Sequence, residues 1–113
     1  MELNTSFGDL FAYTGARDHQ KNQPAVVFIH GTGMDHTVWV LPSRYFARHG
    51  FNVLSIDLPG HGKSSGASPE TIDEMADAVI ESMQLAGLSN AAIVGHSMGS
   101  LVALSAAARY PDR

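Results

Sequence analysis

Three short, mostly apolar runs punctuate this chain: Ala25-Val26-Val27-Phe28-Ile29, Phe51-Asn52-Val53-Leu54-Ser55-Ile56 and Ala91-Ala92-Ile93-Val94. Runs of this length, rich in β-branched residues and lacking strict alternation, predict strands buried on both faces, as in a parallel sheet. Between the second and third runs the period changes. Ile72, Met75, Ala76, Val79, Ile80 and Met83 recur at three- and four-residue spacing, which places them on one face of a helix as core filler. Ser68 as cap, Pro69 at the first helical position and Glu70 in the first turn predict its start, and Gly87 its end. A weaker pattern at Trp39, Leu41, Tyr45 and Phe46 predicts a helix that begins near Pro42 and stops at Gly50. A small-residue helix follows Ser97 and runs to Tyr110, with Pro111 as its stop. At the front, Phe7, Leu10, Phe11 and Tyr13 around Gly8-Asp9 predict an antiparallel hairpin. Strands alternating with helices define an α/β class: a mostly parallel sheet, helices on both faces, and an antiparallel N-terminal hairpin.

Composition narrows the function more than the fold. The chain has 113 residues, 44% of them hydrophobic and 16% charged, as expected of a single soluble globular domain. A formal charge of −4 with no basic patch argues against nucleic acid as a partner. The acids between Glu70 and Glu81 read as a solvated helix face. No apolar run reaches the length of a membrane span, and the first residues, Met1-Glu2-Leu3-Asn4-Thr5, lack the basic and apolar segments of an export signal. There is no cysteine, hence no disulfide framework, Cys-based metal site or thiol nucleophile. A cytoplasmic location and the absence of metal or cofactor are the expectations.

The chemistry sits where strands end. Gly95-His96-Ser97-Met98-Gly99 is a G-x-S-x-G pentapeptide between a strand and a helix. In that context the sharp turn strains the serine backbone and raises its hydroxyl above the sheet. Glycine on either side avoids collision with neighbouring backbone, and the first amides of the new helix stay free to meet a developing oxyanion. Ser97 is therefore the candidate nucleophile and the Met98 amide a candidate oxyanion donor. His96, next to Ser97, should point away from its hydroxyl.

A second motif, His30-Gly31-Thr32-Gly33, follows the first apolar run, and Asp57-Leu58-Pro59-Gly60-His61-Gly62-Lys63-Ser64 follows the second. The first resembles the H-G-x-G element of α/β-hydrolase esterases, the other the D-x-P-G-H-G-x-S loop of the same family. With the pentapeptide, all three motifs stand in the family's order, and the resemblance covers essentially the whole chain. It implies an oxyanion donor at the Thr32 amide, with Gly33 a near competitor, and a bracing role for His30. It also implies an architectural loop tied down by Asp57 and His61.

The resemblance further implies a triad in the order serine, acid, histidine. None of the six histidines follows Ser97. His19 and His49 read as loop or surface residues, and His36 has no matching role. The expectation is thus the N-terminal half of a serine hydrolase acting on a small carboxylic ester or related acyl compound. The histidine and acid would come from a C-terminal half beyond Arg113. Without that half, the Ala91–Val94 strand would expose an apolar edge and the Met98–Ala108 helix would lose cover. Either the remaining half or a second copy of the chain is then the expected partner. The rival readings are a non-catalytic hydrolase-fold binding or receptor protein and a self-associating half-domain. C–C bond hydrolases and cofactor-free haloperoxidases share these motifs.

Overall fold

The computed structural model describes residues 1–66 and 68–111; Ala67 and the terminal Asp112 and Arg113 lie outside the described residues. Five strands form one sheet: β1 (Glu2–Thr5), β2 (Gly8–Tyr13), β3 (Ala25–Ile29), β4 (Asn52–Ile56) and β5 (Ala92–Gly95). Their order is β1-β2-β4-β3-β5. The sheet is mixed. β4, β3 and β5 run parallel, with Ile29 opposite both Ile56 and Gly95. The β1–β2 hairpin adds antiparallel to β4. All three parallel strands therefore end at one level, and the three motifs emerge side by side.

Helices cover both faces. α1 (Val40–Arg48) lies on one, where Ala47 packs near Val26, Phe28 and Val53. α2 (Ile72–Leu85) and α3 (Met98–Arg109) share the other, over a core that includes Val27, Ile29, Leu54, Ile56, Val79 and Met83. The periodic positions of α2 behave as the spacing predicts: Met75, Ala76, Val79, Ile80 and Met83 are buried and Ile72 is partly so.

Five expectations need correction. The hairpin turn falls at Ser6-Phe7, not Gly8-Asp9, because Thr5 pairs with Gly8 and the Thr5 hydroxyl ties the turn by donating to the Gly8 carbonyl at 2.8 Å. α2 starts three residues later than Ser68-Pro69 suggests. Thr71 caps it, accepting from the Glu74 amide at 3.1 Å, so a Thr-x-x-Glu cap outranked the proline signal. α1 begins at Val40, ahead of Pro42, after a 3₁₀ turn over His36–Trp39; Pro42 is still within the first turn, where its missing N–H costs nothing. On α1, moreover, Leu41 and Tyr45 face outward, while Ser43 and Ala47 are buried.

The fourth concerns β5, which is not a buried strand. Ala92 and Val94 are exposed and Ile93 is half-buried, because β5 has a neighbour only on its β3 side. On α3, Val102 is buried while Leu101 and Leu104 are exposed. Both match the open flank anticipated for this strand and helix. The acidic stretch is not merely solvated. Glu81 accepts from the Ser6 amide and hydroxyl, and Asp77 accepts from the Tyr110 hydroxyl and pairs with Arg109. The bond to Asp77 raises the Tyr110 pKa.

Candidate active site

The turn from β5 into α3 is built around Ser97, whose backbone adopts φ +57°, ψ −121°. A non-glycine residue there is strained, and such strain persists only where the surroundings enforce it. The enforcing contacts are visible. The His96 amide donates to the Ile29 carbonyl at 3.1 Å, and the Gly99 amide to the His96 carbonyl at 2.9 Å. A Cβ on Gly95 would strike the Gly99 carbonyl, and one on Gly99 would strike the Ile29 carbonyl. The two glycines thus let β5, α3 and the end of β3 close on one another. Ser97 itself is exposed, standing at the carboxyl ends of the strands.

Facing it is the His30–Gly33 loop. The Met34 amide closes a turn onto the Gly31 carbonyl at 3.1 Å. Among the described residues, the N–H groups of Thr32, Gly33 and Met98 meet no partner. Gly31 packs against the elbow: a Cβ there would lie 3.2 Å from Ser97 Cβ and 3.2 Å from the His96 carbonyl. The Thr32 hydroxyl reaches Met98 Sδ at 3.1 Å. Thr32 and Met98, read from separate motifs, are neighbours in space. Gly33 has nothing within 4 Å of its Cβ direction, so its φ of +75° rather than close packing suits it to glycine.

The loop is held by two histidines. His30 is fully buried. Its Nε2 accepts from the Leu58 amide at 3.0 Å, so its proton resides on Nδ1, which donates to the Gly31 carbonyl at 2.7 Å. Burial lowers its pKa, against the partial opposition of that carbonyl. It is a neutral brace rather than a group free to shuttle protons.

His36 is the residue that sequence reasoning missed. Its Nδ1 and its backbone N–H both donate to Asp57 Oδ1, at 2.9 and 2.6 Å, and Asp57 Oδ2 accepts from the Lys63 amide at 2.9 Å. Both partners are buried, with the Phe11 and Tyr13 rings tilted against the imidazole. Asp57 thus ties its own loop down, as expected, and also anchors the segment that follows the His30–Gly33 loop. His61 contributes less, with Nδ1 bonded to the Pro59 carbonyl and its ring against His30. His19 bonds the Val53 carbonyl and His49 the Tyr45 carbonyl.

Ligand atoms of Asp35, His36 and Asp57 lie within 4.8 Å of one another. Asp57 accepts the bonds just described, and Asp35 accepts from Thr37, whose hydroxyl and amide lower the Asp35 pKa. Among the described residues no histidine hydrogen-bonds Ser97; His96, though adjacent, is exposed.

Residues 24–113 match the family model for the alpha/beta hydrolase fold. The chain belongs to that family. Among curated relatives, it is 36% identical over 88 residues to (E)-2-((N-methylformamido)methylene)succinate hydrolase of Acinetobacter baylyi, covering 77% of this chain and 33% of that one. It is also 36% identical over 87 residues to the pimeloyl-[acyl-carrier protein] methyl ester esterase of Vibrio cholerae, covering 77% and 32%. Among solved structures, the enol-lactonase of Burkholderia xenovorans LB400 superposes with a TM-score of 0.87 at 28% identity, covering 100% of this chain and 43% of that one. The chain thus spans about a third of the length of these curated relatives. Among the described residues, no helix is long and apolar enough to cross a membrane.

Proposed function

We propose that this chain is the N-terminal half of a serine hydrolase domain acting on a carboxylic ester or related acyl substrate. Ser97 attacks the carbonyl carbon, and the amides of Met98 and Thr32 hold the oxyanion. Each such donor is worth about 3 kcal/mol in the transition state. The observation that carries this reading is the exposed, strained Ser97 at φ +57° with unpartnered amides on both flanking turns. Relatives named as hydrolases and esterases support it. The general base is a histidine oriented by an acid, both supplied from outside these 113 residues, because a serine hydroxyl without a base is a poor nucleophile. The absence of cysteine suits a cytoplasmic setting.

The open side of β5 favours a partner that completes the sheet, and the remaining half of the hydrolase is our choice over a second copy. A fluorophosphonate probe applied to the protein from its native source should label Ser97, with Ser97→Ala abolishing the label. Intact mass of the same preparation shows whether the histidine arrives on the same or another polypeptide. Absence of labelling in folded, complete protein would favour a binding or receptor role instead.

A further inference from the structure

The span that follows β3 is pinned at both ends to one dipeptide. At its entrance, His30 Nε2 accepts from the Leu58 amide at 3.0 Å. At its exit, the His36 backbone N–H and Nδ1 both donate to Asp57 Oδ1, at 2.6 and 2.9 Å. Asp57 and Leu58 are consecutive, so the residues from Gly31 to Asp35 arch between two fixed points. The dipeptide is itself well anchored. The Asp57 amide donates to the Phe11 carbonyl at 2.9 Å, Asp57 Oδ2 accepts from the Lys63 amide at 2.9 Å, and the Ser64 hydroxyl donates to the Asp57 carbonyl. A Cβ on Gly62 would lie 2.5 Å from Asp57 Oδ2 and 2.8 Å from Asp35 Cβ, so a glycine there lets this loop close over the exit.

Within the arch the backbone has less to hold it. Its internal ties are the turn bond from the Met34 amide to the Gly31 carbonyl and the Thr32 hydroxyl on Met98 Sδ. Thr32, Gly33 and Met34 are exposed, and Gly33, at φ +75°, has nothing within 4 Å of its Cβ direction. Glycine has the widest choice of backbone conformation. The aim of the Thr32 and Gly33 N–H groups therefore depends on where the two ends of the arch are held.

We propose that His36 is a positioning residue: its clasp on Asp57 aims the Thr32 amide at the oxygen that becomes negative when Ser97 attacks. The proposal rests on the serine-hydrolase reading and adds a residue that acts through the loop. A carboxylate only accepts, so the imidazole proton lies on Nδ1. The Phe11 and Tyr13 rings, with centroids 4.9 and 5.9 Å from that of the imidazole, keep this donor directed. An oxyanion donor helps when it is in place before charge develops, and a misplacement of about 1 Å costs up to about a hundredfold in rate.

The test follows fluorophosphonate labelling of Ser97 in the complete protein as probe concentration is varied, which separates the maximal rate from the half-saturating concentration. His36→Asn and His36→Leu have nearly the same shape, but only asparagine keeps an N–H close to the place of Nδ1. His36→Leu should lower the maximal rate about thirtyfold and leave the half-saturating concentration within about twofold. His36→Asn should recover most of that loss. His36→Ala, which admits water to Asp57, repeats the measurement if the leucine variant is unfolded. Val79→Ala removes buried volume on α2 and controls for lost stability alone; it should label at the unaltered rate.

The proposal is overturned by a His36→Leu or His36→Ala protein that labels at the unaltered rate, or by a loss confined to the half-saturating concentration. It is equally overturned by a His36→Asn protein no faster than these two, or by a Val79→Ala protein slowed as much. Labelling that ignores position 36 leaves the hydrolase reading standing. Absence of labelling in the unaltered complete protein removes that reading and this proposal with it.

Discussion

β3 and β5 look alike as sequence, yet every residue of β3 is buried whereas β5 alternates between exposed and half-buried. Both are short apolar runs leading into a glycine motif. The difference lies in their neighbours: β3 has β4 on one side and β5 on the other, while β5 has only β3. α1 covers one face of β3 and α3 the other. On the β5 side, Leu104 lies 67% exposed along a groove that also touches Ile93 and Gly95. A run of this type encodes a strand that must be covered; it does not encode which chain segment covers it.

The sharpest break of the comparison is at its one point of full closure. Gly95→Ala should cost about 4 kcal/mol or more, because the new methyl meets the Gly99 carbonyl and neither backbone can retreat. Urea unfolding measures it; a loss under 1 kcal/mol would mean that the elbow is not tightly packed.

Ile29→Ala on β3 should cost about 3 kcal/mol, since Ile29 is fully buried. Val94→Ala on β5, at 39% exposure, should stay within about 0.5 kcal/mol. Once a partner covers β5 that second figure should grow, so the same pair measured in complete protein reports whether the edge is buried there. Asp57→Asn should cost about 2 kcal/mol, the order expected when hydrogen bonds to a buried charged acceptor are weakened, and should slow fluorophosphonate labelling by loosening the segment behind the His30–Gly33 loop.

The smallest effect is a pH dependence at His30. Its folded pKa lies below the ordinary 6.5, so the unfolded chain binds the proton more readily. The contribution of neutral His30 is full above about pH 6.5 and declines as pH falls toward the lowered folded value. Calorimetry below that pH should show a shallower fall in Tm for His30→Gln than for the unaltered protein; an unchanged slope would assign the dependence to other groups.

The elbow was legible because its chemistry is local. Two glycines, a serine and a preceding apolar run lie within one short segment, and steric exclusion alone demands that spacing. The helix positions of α2 were legible for the same reason, through their period. Its start was less so: Ser68-Pro69 and Thr71-Ile72-Asp73-Glu74 are both acceptable beginnings. The reciprocal Thr71–Glu74 cap prevailed because it satisfies a backbone donor that proline merely lacks. The His36–Asp57 pair left no mark in sequence spacing. Its partners are 21 positions apart, and only the parallel register of Ile29 with Ile56 brings the two following segments together.

Local sterics and periodicity, then, determined the strands, the helices, the strained serine and the free amides around it. Tertiary structure alone decided that Thr32 meets Met98 and that His36 clasps Asp57. Those outcomes depend on which segments become neighbours across the sheet, and neighbours distant in sequence are selected by packing and register rather than by any single stretch of residues.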